Sequence, residues 1–527
     1  MAEISIENLS FYYAGKEKPA LKDISLHIRQ GEFVVLIGSS GSGKSTLLRQ
    51  LKPILTPKGT QSGMIKLDEQ PIGQLNAKEQ AEKIGFLLQT PEHQLVAEEV
   101  WQELAFGLEN LGYHTETIRM RVAEMANYFG IQHWFDRSVS ELSGGQKQLL
   151  NLAAILALHP DVLLLDEPLS QLDPIAAENF LITLRKINRD LGVTIVLSEH
   201  RLEQVLPEAD RVIVLDGGSV FCDGEPAKVA ECLAKVQHPM FDSMPTPARL
   251  AAALGFEEYP LTVRQGRAWV QTLSLAGEMT APNKKSVGEK MVEAKRVYMR
   301  YEKNRQDVLQ ELDITLYTGE LYALLGGNGS GKSTLLQVLC GIRKPYAGKI
   351  KQHKGIKIAM LPQDVQTLFG KETVQEELEE ITTDTEKLQQ ISKVWKLEQV
   401  LTQHPYDISG GEQQRLAMAK LWLLDADVLL LDEPTKGMEQ AFKQHLAQIF
   451  AEAKAQGKCI LMASHDIEFC AEYADRCGML FRGELTAEGP AGTLFEKHMF
   501  YTTSVNRMVR NICPQAVTIR DLLALRG

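Results

Sequence analysis

The segment Gly38-Ser39-Ser40-Gly41-Ser42-Gly43-Lys44-Ser45-Thr46 stands between the apolar run Phe33 to Ile37 and a stretch in which Leu47, Leu48 and Leu51 recur at helical spacing. A buried strand, a glycine-rich turn and an amphipathic helix in that order define a phosphate-binding loop. The glycines let successive backbone N–H groups converge on phosphate oxygens, and the helix N-terminus adds its positive dipole end. In such a loop Lys44 reaches the β- and γ-phosphates and Ser45 ligates Mg²⁺.

The same segment returns as Gly326-Gly327-Asn328-Gly329-Ser330-Gly331-Lys332-Ser333-Thr334, and the offset of 288 residues also carries Tyr13 onto Tyr301 and Gly31-Glu32 onto Gly319-Glu320. Later landmarks keep their order: Gln89 and Gln363, Ser143-Gly144-Gly145 and Ser409-Gly410-Gly411, Asp166-Glu167-Pro168 and Asp432-Glu433-Pro434, His200 and His465. A duplicated domain follows. In each copy short unbroken apolar runs alternate with helical patterns: Phe33 to Ile37, Val162 to Leu165 and Val193 to Leu197, then Leu321 to Leu325, Val428 to Leu431 and Cys459 to Met462. Runs without polar alternation suit strands buried on both faces of a mostly parallel sheet, so the predicted class is α/β with helices on both sides.

Bulk properties set limits. A chain of 527 residues exceeds one core, and 44% hydrophobic with 24% charged residues is ordinary globular composition. The net charge of -11 gives no support to a nucleic-acid backbone as partner. Seven scattered cysteines with no C-x-x-C pair read as reduced thiols in a cytosol. Residues 1–10 show no secretion-signal pattern, and the apolar stretch near Leu149 to Leu158, broken by Asn151, is too short to span a bilayer, so a membrane role is expected to be peripheral. The expected organisation is a first nucleotide-binding domain over 1–240, a small extension and linker over 241–290, and a second domain with a C-terminal extension over 291–527. Within the middle part, residues 246–270 read as the extension and residues 277–290 as a flexible joint.

Asp166 and Glu167 end the run Val162 to Leu165, which delivers both carboxylates to the carboxyl edge of the sheet, where α/β folds bind ligands. Asp166 is expected to help hold Mg²⁺ and Glu167 to orient and polarise the attacking water; Asp432 and Glu433 repeat the arrangement. Leu142-Ser143-Gly144-Gly145-Gln146 opens a helix with Ser143 as N-cap. Two glycines in a first turn cost about 1 kcal/mol each against alanine, so close approach of another group's phosphate is the natural reason for them. These residues, repeated as Ile408-Ser409-Gly410-Gly411-Glu412, resemble the signature motif of the ATP-binding-cassette (ABC) ATPases, and the resemblance covers nearly the whole chain apart from the joint.

The resemblance implies two ABC-type domains, each a mostly parallel sheet with antiparallel and helical subdomains. It implies ATP hydrolysis with Mg²⁺, and two ATP sandwiched between the halves, each signature helix closing over the other half's P-loop. Further roles come with it: Tyr13 and Tyr301 as the aromatics stacking on adenine, Gln89 and Gln363 as the Q-loop residues at Mg²⁺ and water, His200 and His465 as the switch histidines. Two departures bear on which site hydrolyses. The first copy has Asp173 in its D-loop where the second has Glu439, and Leu149 in its signature helix where the second keeps Arg415. They suggest unequal sites, with the site of Lys332 and Ser143 meeting the intact D-loop at Asp173.

Thr90-Pro91-Glu92-His93-Gln94-Leu95, followed by residues 100–107, resembles the Pro-acidic-x-Gln stretch of energy-coupling-factor (ECF) transporter ATPases, whose helix there receives the membrane T component. The second copy reads Gln363-Asp364-Val365-Gln366 instead, so the two docking grooves should differ. The implied protein is the motor of an importer at the cytoplasmic face of the membrane, partnered by T and substrate-binding S components, for a vitamin, thiamine precursor or metal ion. The tandem ATPase of monosaccharide importers is the alternative, against which Lys332 and Glu433 speak; a soluble ATPase acting on ribosomes or nucleic acid is another, against which stands the lack of an inserted coiled coil.

Overall fold

In each half the apolar runs are the inner strands of a six-stranded sheet. The computed structural model describes residues 2–271, 288–302 and 305–525. Most of the expected joint, residues 277–287, therefore lies outside the described residues. The chain divides into two compact units, Met1–Thr262 and Val263–Gly527.

In the first unit the sheet order is Ser219–Gly224, Arg211–Asp216, Phe33–Ile37, Thr194–Ser198, Val162–Asp166, Ile84–Leu87, parallel except for the antiparallel outer hairpin. Phe33–Ile37, Val162–Asp166 and Thr194–Ser198 are buried along their whole length, the consequence of having helices over both faces. The third strand runs one residue later than the hydrophobic run, because Ser198 continues the ladder opposite Asp166. A second, antiparallel sheet of Ile4–Tyr13, Leu21–Ile28, Gly59–Leu67 and Gln70–Pro71 covers one side of the phosphate loop. Helices Val100–Asn110 and Thr115–Tyr128 pack with the signature helix Gly144–Leu156 as a helical subdomain.

The second unit repeats this with its own six-stranded sheet, in the order Ile358–Leu361, Val428–Asp432, Cys459–Ala463, Leu321–Leu325, Arg476–Phe481, Glu484–Pro490, and a three-stranded antiparallel sheet. Here the signature helix Gly410–Leu423 is tied to the Q-loop side by a buried cation. Lys420 donates to Glu377, to Glu380 and, at 2.8 Å, to the Leu368 carbonyl. Glu377 also accepts the amides of Gly370 and Lys371. In the first unit Glu103 takes the equivalent amides of Val96 and Ala97, but the position matching Lys420 is Ala154. Removing one partner of a buried pair leaves an uncompensated charge and costs about 3–5 kcal/mol. Lys420→Met is thus expected to lower the melting transition of the second unit in calorimetry, and Glu377→Gln added to it to restore most of the loss.

The stretch expected to be one extension is divided. Helix Thr246–Ala253 belongs to the first unit, its first amide donating to Glu203 at 2.7 Å. Helix Val263–Val270 belongs to the second, where Arg267 donates to the Arg507 carbonyl at 2.7 Å. Near the end of the second unit, helix Ser504–Val509 is docked as Thr246–Ala253 is, Ser504 N–H donating to Glu468 at 2.7 Å. The extension is therefore itself duplicated.

Candidate functional site

The phosphate loop of the first unit wraps an ammonium group. Gly38, Gly41 and Gly43 have φ of 153°, 75° and 104°, and a Cβ on Gly38 would lie 2.3 Å from the Leu215 carbonyl oxygen. Only glycine permits that turn. Lys44, 5% exposed, donates to the carbonyls of Gly38 (2.7 Å) and Ser39 (3.1 Å). Gly326, Gly329 and Gly331 repeat the conformations, and Lys332 donates to Gly326 and Gly327 at 2.8 and 3.1 Å. The Ser42 and Ser330 hydroxyls are buried without a hydrogen-bond partner, so each loop offers polar groups that its own fold leaves unsatisfied. Such a cradle fits the phosphates of a nucleotide.

The tyrosines are fixed by a bond the sequence did not announce. Tyr13 and Thr46 share a hydroxyl–hydroxyl bond of 2.8 Å, Tyr301 and Thr334 one of 2.9 Å, which pins each ring beside the loop. The Tyr301 ring is half exposed and carries the Arg343 guanidinium 4.5 Å from its centroid.

Asp166 accepts from Ser45 (2.8 Å) and Ser198 (2.7 Å). Burial pushes its pKa up against these hydroxyls, and Asp432 is raised by burial in the same way against Ser333 and Lys332. A carboxylate and a hydroxyl form an oxygen-only donor set, and among the described residues no cluster of three or more His, Cys, Asp or Glu side chains could cage a metal. That combination fits Mg²⁺, which binds through one or two protein oxygens plus substrate phosphates and keeps its remaining waters. When bound, the ion would neutralise charge developing on the phosphates.

Glu167 and Glu433 leave their strands with φ of 46° and 51°, a left-handed turn rare for glutamate and typical of strained functional positions. Around Glu167 stand His200 Nε2 at 2.9 Å and Gln89 Nε2 at 2.8 Å. Burial alone would raise its pKa, but the bond and charge of His200, with Lys44, hold it below the usual carboxylate value. Glu433 differs. Its Oε1 is buried without a hydrogen bond, although His465 Nε2 lies 3.2 Å away. That nitrogen is instead 3.1 Å from Asn328 Oδ1 and 3.2 Å from Lys332. Gln363 is exposed. Burial, with nearby Asp432, outweighs Lys332 and pushes the Glu433 pKa up to about 7.

Each signature motif opens its helix with a reciprocal cap. Ser143 and Gln146 exchange side-chain to backbone bonds in a capping box, as do Ser409 and Glu412; a Cβ on Gly144 would meet nothing within 4 Å, and one on Gly145 would touch Leu172 and Ala176 at 3.5 Å. The first D-loop is braced by residues not singled out from sequence. Glu199 accepts the amides of Leu169, His200 and Arg201, while Arg201 donates to the Leu172 carbonyl at 2.7 Å. Their only trace is that Ser198-Glu199-His200-Arg201 answers to Ala463-Ser464-His465-Asp466. The D-loop difference has a local consequence: Asp173 caps its helix through Ala176 N–H at 2.8 Å, whereas Glu439 makes no side-chain cap and faces the charge of Arg415.

The ABC transporter family pattern matches residues 21–170 and 309–436. An ABC transporter ATP-binding protein, so named provisionally, of Bacillus thuringiensis subsp. konkukian (strain 97-27) is 40% identical, covering 99% of this chain and 98% of its own. A protein of Bacillus subtilis (strain 168), provisionally named HMP/thiamine import ATP-binding protein YkoD, is 32% identical over 94% of this chain and 92% of its own. The solved structure of an archaeal ribosome recycling factor in complex with a ribosomal stalk protein superposes with a TM-score of 0.58 at 20% identity, covering 90% of this chain and 87% of that one, a likeness of fold. The chain belongs to the ABC transporter family and is an ATP-hydrolysing subunit with two ATPase domains. Among the described residues no helix is long and apolar enough to cross a membrane.

Proposed function

We propose that this chain is the motor of an ECF-type importer, holding two Mg²⁺-bound ATP between its halves at the cytoplasmic face of the membrane. Each P-loop lysine draws negative charge from the phosphates, and each glutamate orients water for attack on the γ-phosphate. ATP does work on a membrane partner only through its higher affinity for the closed pairing of the halves, and hydrolysis releases that pairing. The cargo class, a vitamin, thiamine precursor or metal ion, is supported by the B. subtilis relative named for HMP/thiamine import.

The observation that carries the transport reading is the inequality of the two segments after the Q-loop glutamines. In the first unit the turn Pro91–His93 is held against the signature helix by Lys147–Glu92 (3.1 Å) and by Asn151 donating to the Pro91 carbonyl (3.1 Å). The helix behind it, Val100–Asn110, exposes Trp101 and Phe106, with Val96 just before it. In the second unit the corresponding helix is short, Val374–Glu379, and acidic. Exposed aromatic side chains on one copy and a charged helix on the other suit two different membrane contacts. Introducing charge by Trp101→Glu with Phe106→Glu is expected to cut uptake at least ~tenfold while ATPase activity in detergent stays within about twofold.

Affinity purification from membranes with mass spectrometry tests the assignment. Small integral membrane proteins should co-isolate with the chain; ribosomal proteins or nucleic acid in their place would overturn it.

A further inference from the structure

The second copy of the fold acts as a control for the first. Ser143 to Asp166 and Ser409 to Asp432 align without a gap, so Leu156 answers to Trp422 and His159 to Asp425. The Trp422 ring lies 5.3 Å from that of Trp395 and stacks at 6.1 Å on Phe450. Lys458, one residue before the strand Cys459–Ala463, closes the same corner by donating to Asp425 (2.6 Å) and to the Ala426 carbonyl (2.9 Å). In the first unit the smaller Leu156 and Val193 stand at the positions of Trp422 and Lys458, and His159 at that of Asp425.

A cavity of about 320 Å³ opens there, a volume within the range of small-molecule sites. It lies by the end of the signature helix and beside Asp161 and Val193, at the amino ends of the strands whose carboxyl ends carry Asp166 and Ser198. It is thus separate from the phosphate loop. Its walls are mostly apolar with a few polar groups, the composition of a small-molecule site. Tyr128, in the lining, has a hydroxyl that is shielded from solvent and without a hydrogen-bond partner. Two carboxylates, Glu124 and Asp161, stand among the lining groups, with half-exposed Leu191 beside them. His159 is 3.9 Å from Glu124, but burial and then Arg121 hold its pKa below the usual value, so at neutral pH it does not cancel the carboxylate.

We propose that this cavity binds a planar aromatic amine, its ring resting against Leu156 and Val193, the positions that Trp422 and Lys458 take in the second copy. The Tyr128 hydroxyl pairs with a polar edge of the ring, and the amine meets Glu124 and Asp161.

Titration of the full chain with tryptamine, followed by calorimetry or ligand-observed NMR, is the test, with indole-3-acetate as the anionic match. Tryptamine should bind at least about tenfold more tightly than the acetate, because the latter brings a like charge to the carboxylates. Leu156→Trp, which copies the second unit, should weaken tryptamine at least about tenfold. Should that variant fold poorly, Leu191→Lys at the half-exposed position should still weaken the amine and narrow its lead over the acetate. Failure of tryptamine to bind the wild type, binding undiminished in both variants, or equal affinity for the acetate would each overturn the proposal.

Discussion

Lys44→Ala combined with Lys332→Ala is expected to abolish ATP hydrolysis, a fall of at least ~100- to 1000-fold, and to abolish uptake with it. Both ammonium groups are nearly fully buried, and each donates to carbonyl oxygens of its own loop, Lys332 also lying 3.2 Å from His465 Nε2. A cation held this way is poised for an anion arriving at the amides of the same loop, and alanine removes the charge while leaving the glycine turns in place. Because the lysines sit at the loop rather than in the apolar clusters around the sheets, both unfolding transitions should persist in calorimetry. The losses are additive in mechanism but not in number: either single variant keeps one loop able to grip a triphosphate. Residual turnover in the single variants with none in the double identifies two working loops; uptake surviving in the double variant would sink the motor assignment.

What the sequence disclosed and what it hid divide along the range of the forces involved. The phosphate loops were legible because their chemistry is local. Positive φ at Gly38 and Gly43 requires glycine, and the lysine, serine and flanking strand lie within a few residues of one another. The sheet was legible as buried strands, since unbroken runs such as Val162–Asp166 have no polar face to show, but its order was not. Neighbours such as Phe33–Ile37 and Thr194–Ser198 are separated by more than half a domain and pair only in the folded state. The braces were illegible for the same reason. Glu199 looks like an ordinary strand-end acid until three amides converge on it, and Lys420 looks like a helix-surface lysine until Glu377 is found beneath it. Asn328, the third residue of a glycine-rich loop, gave no sign that it would engage His465. The repeat of the extension was missed because its two helices share a docking acid, Glu203 or Glu468, more than they share sequence.

Glu167→Gln and Glu433→Gln are expected to leave residual activities that differ, and to differ most at low pH. In the first variant turnover runs through Glu433, whose carboxyl is pushed up to about 7 by burial. Its ionised fraction climbs as pH rises through that value, so activity should rise roughly tenfold between about pH 6 and pH 8. In the second variant turnover runs through Glu167, which His200 and Lys44 hold below the usual carboxylate range despite its burial. It is ionised throughout the interval, so the same profile should be nearly flat. The difference traces to one hydrogen bond. His200 points its Nε2 at Glu167, while His465 is drawn to the carboxamide of Asn328, where the first loop has Ser40. Asn328→Ser in the Glu167→Gln background should therefore free His465 for Glu433 and shift the rise to lower pH. Equal activities and parallel profiles in the two glutamine variants would refute the inequality of the sites, and with it the significance given to Glu439 in place of aspartate.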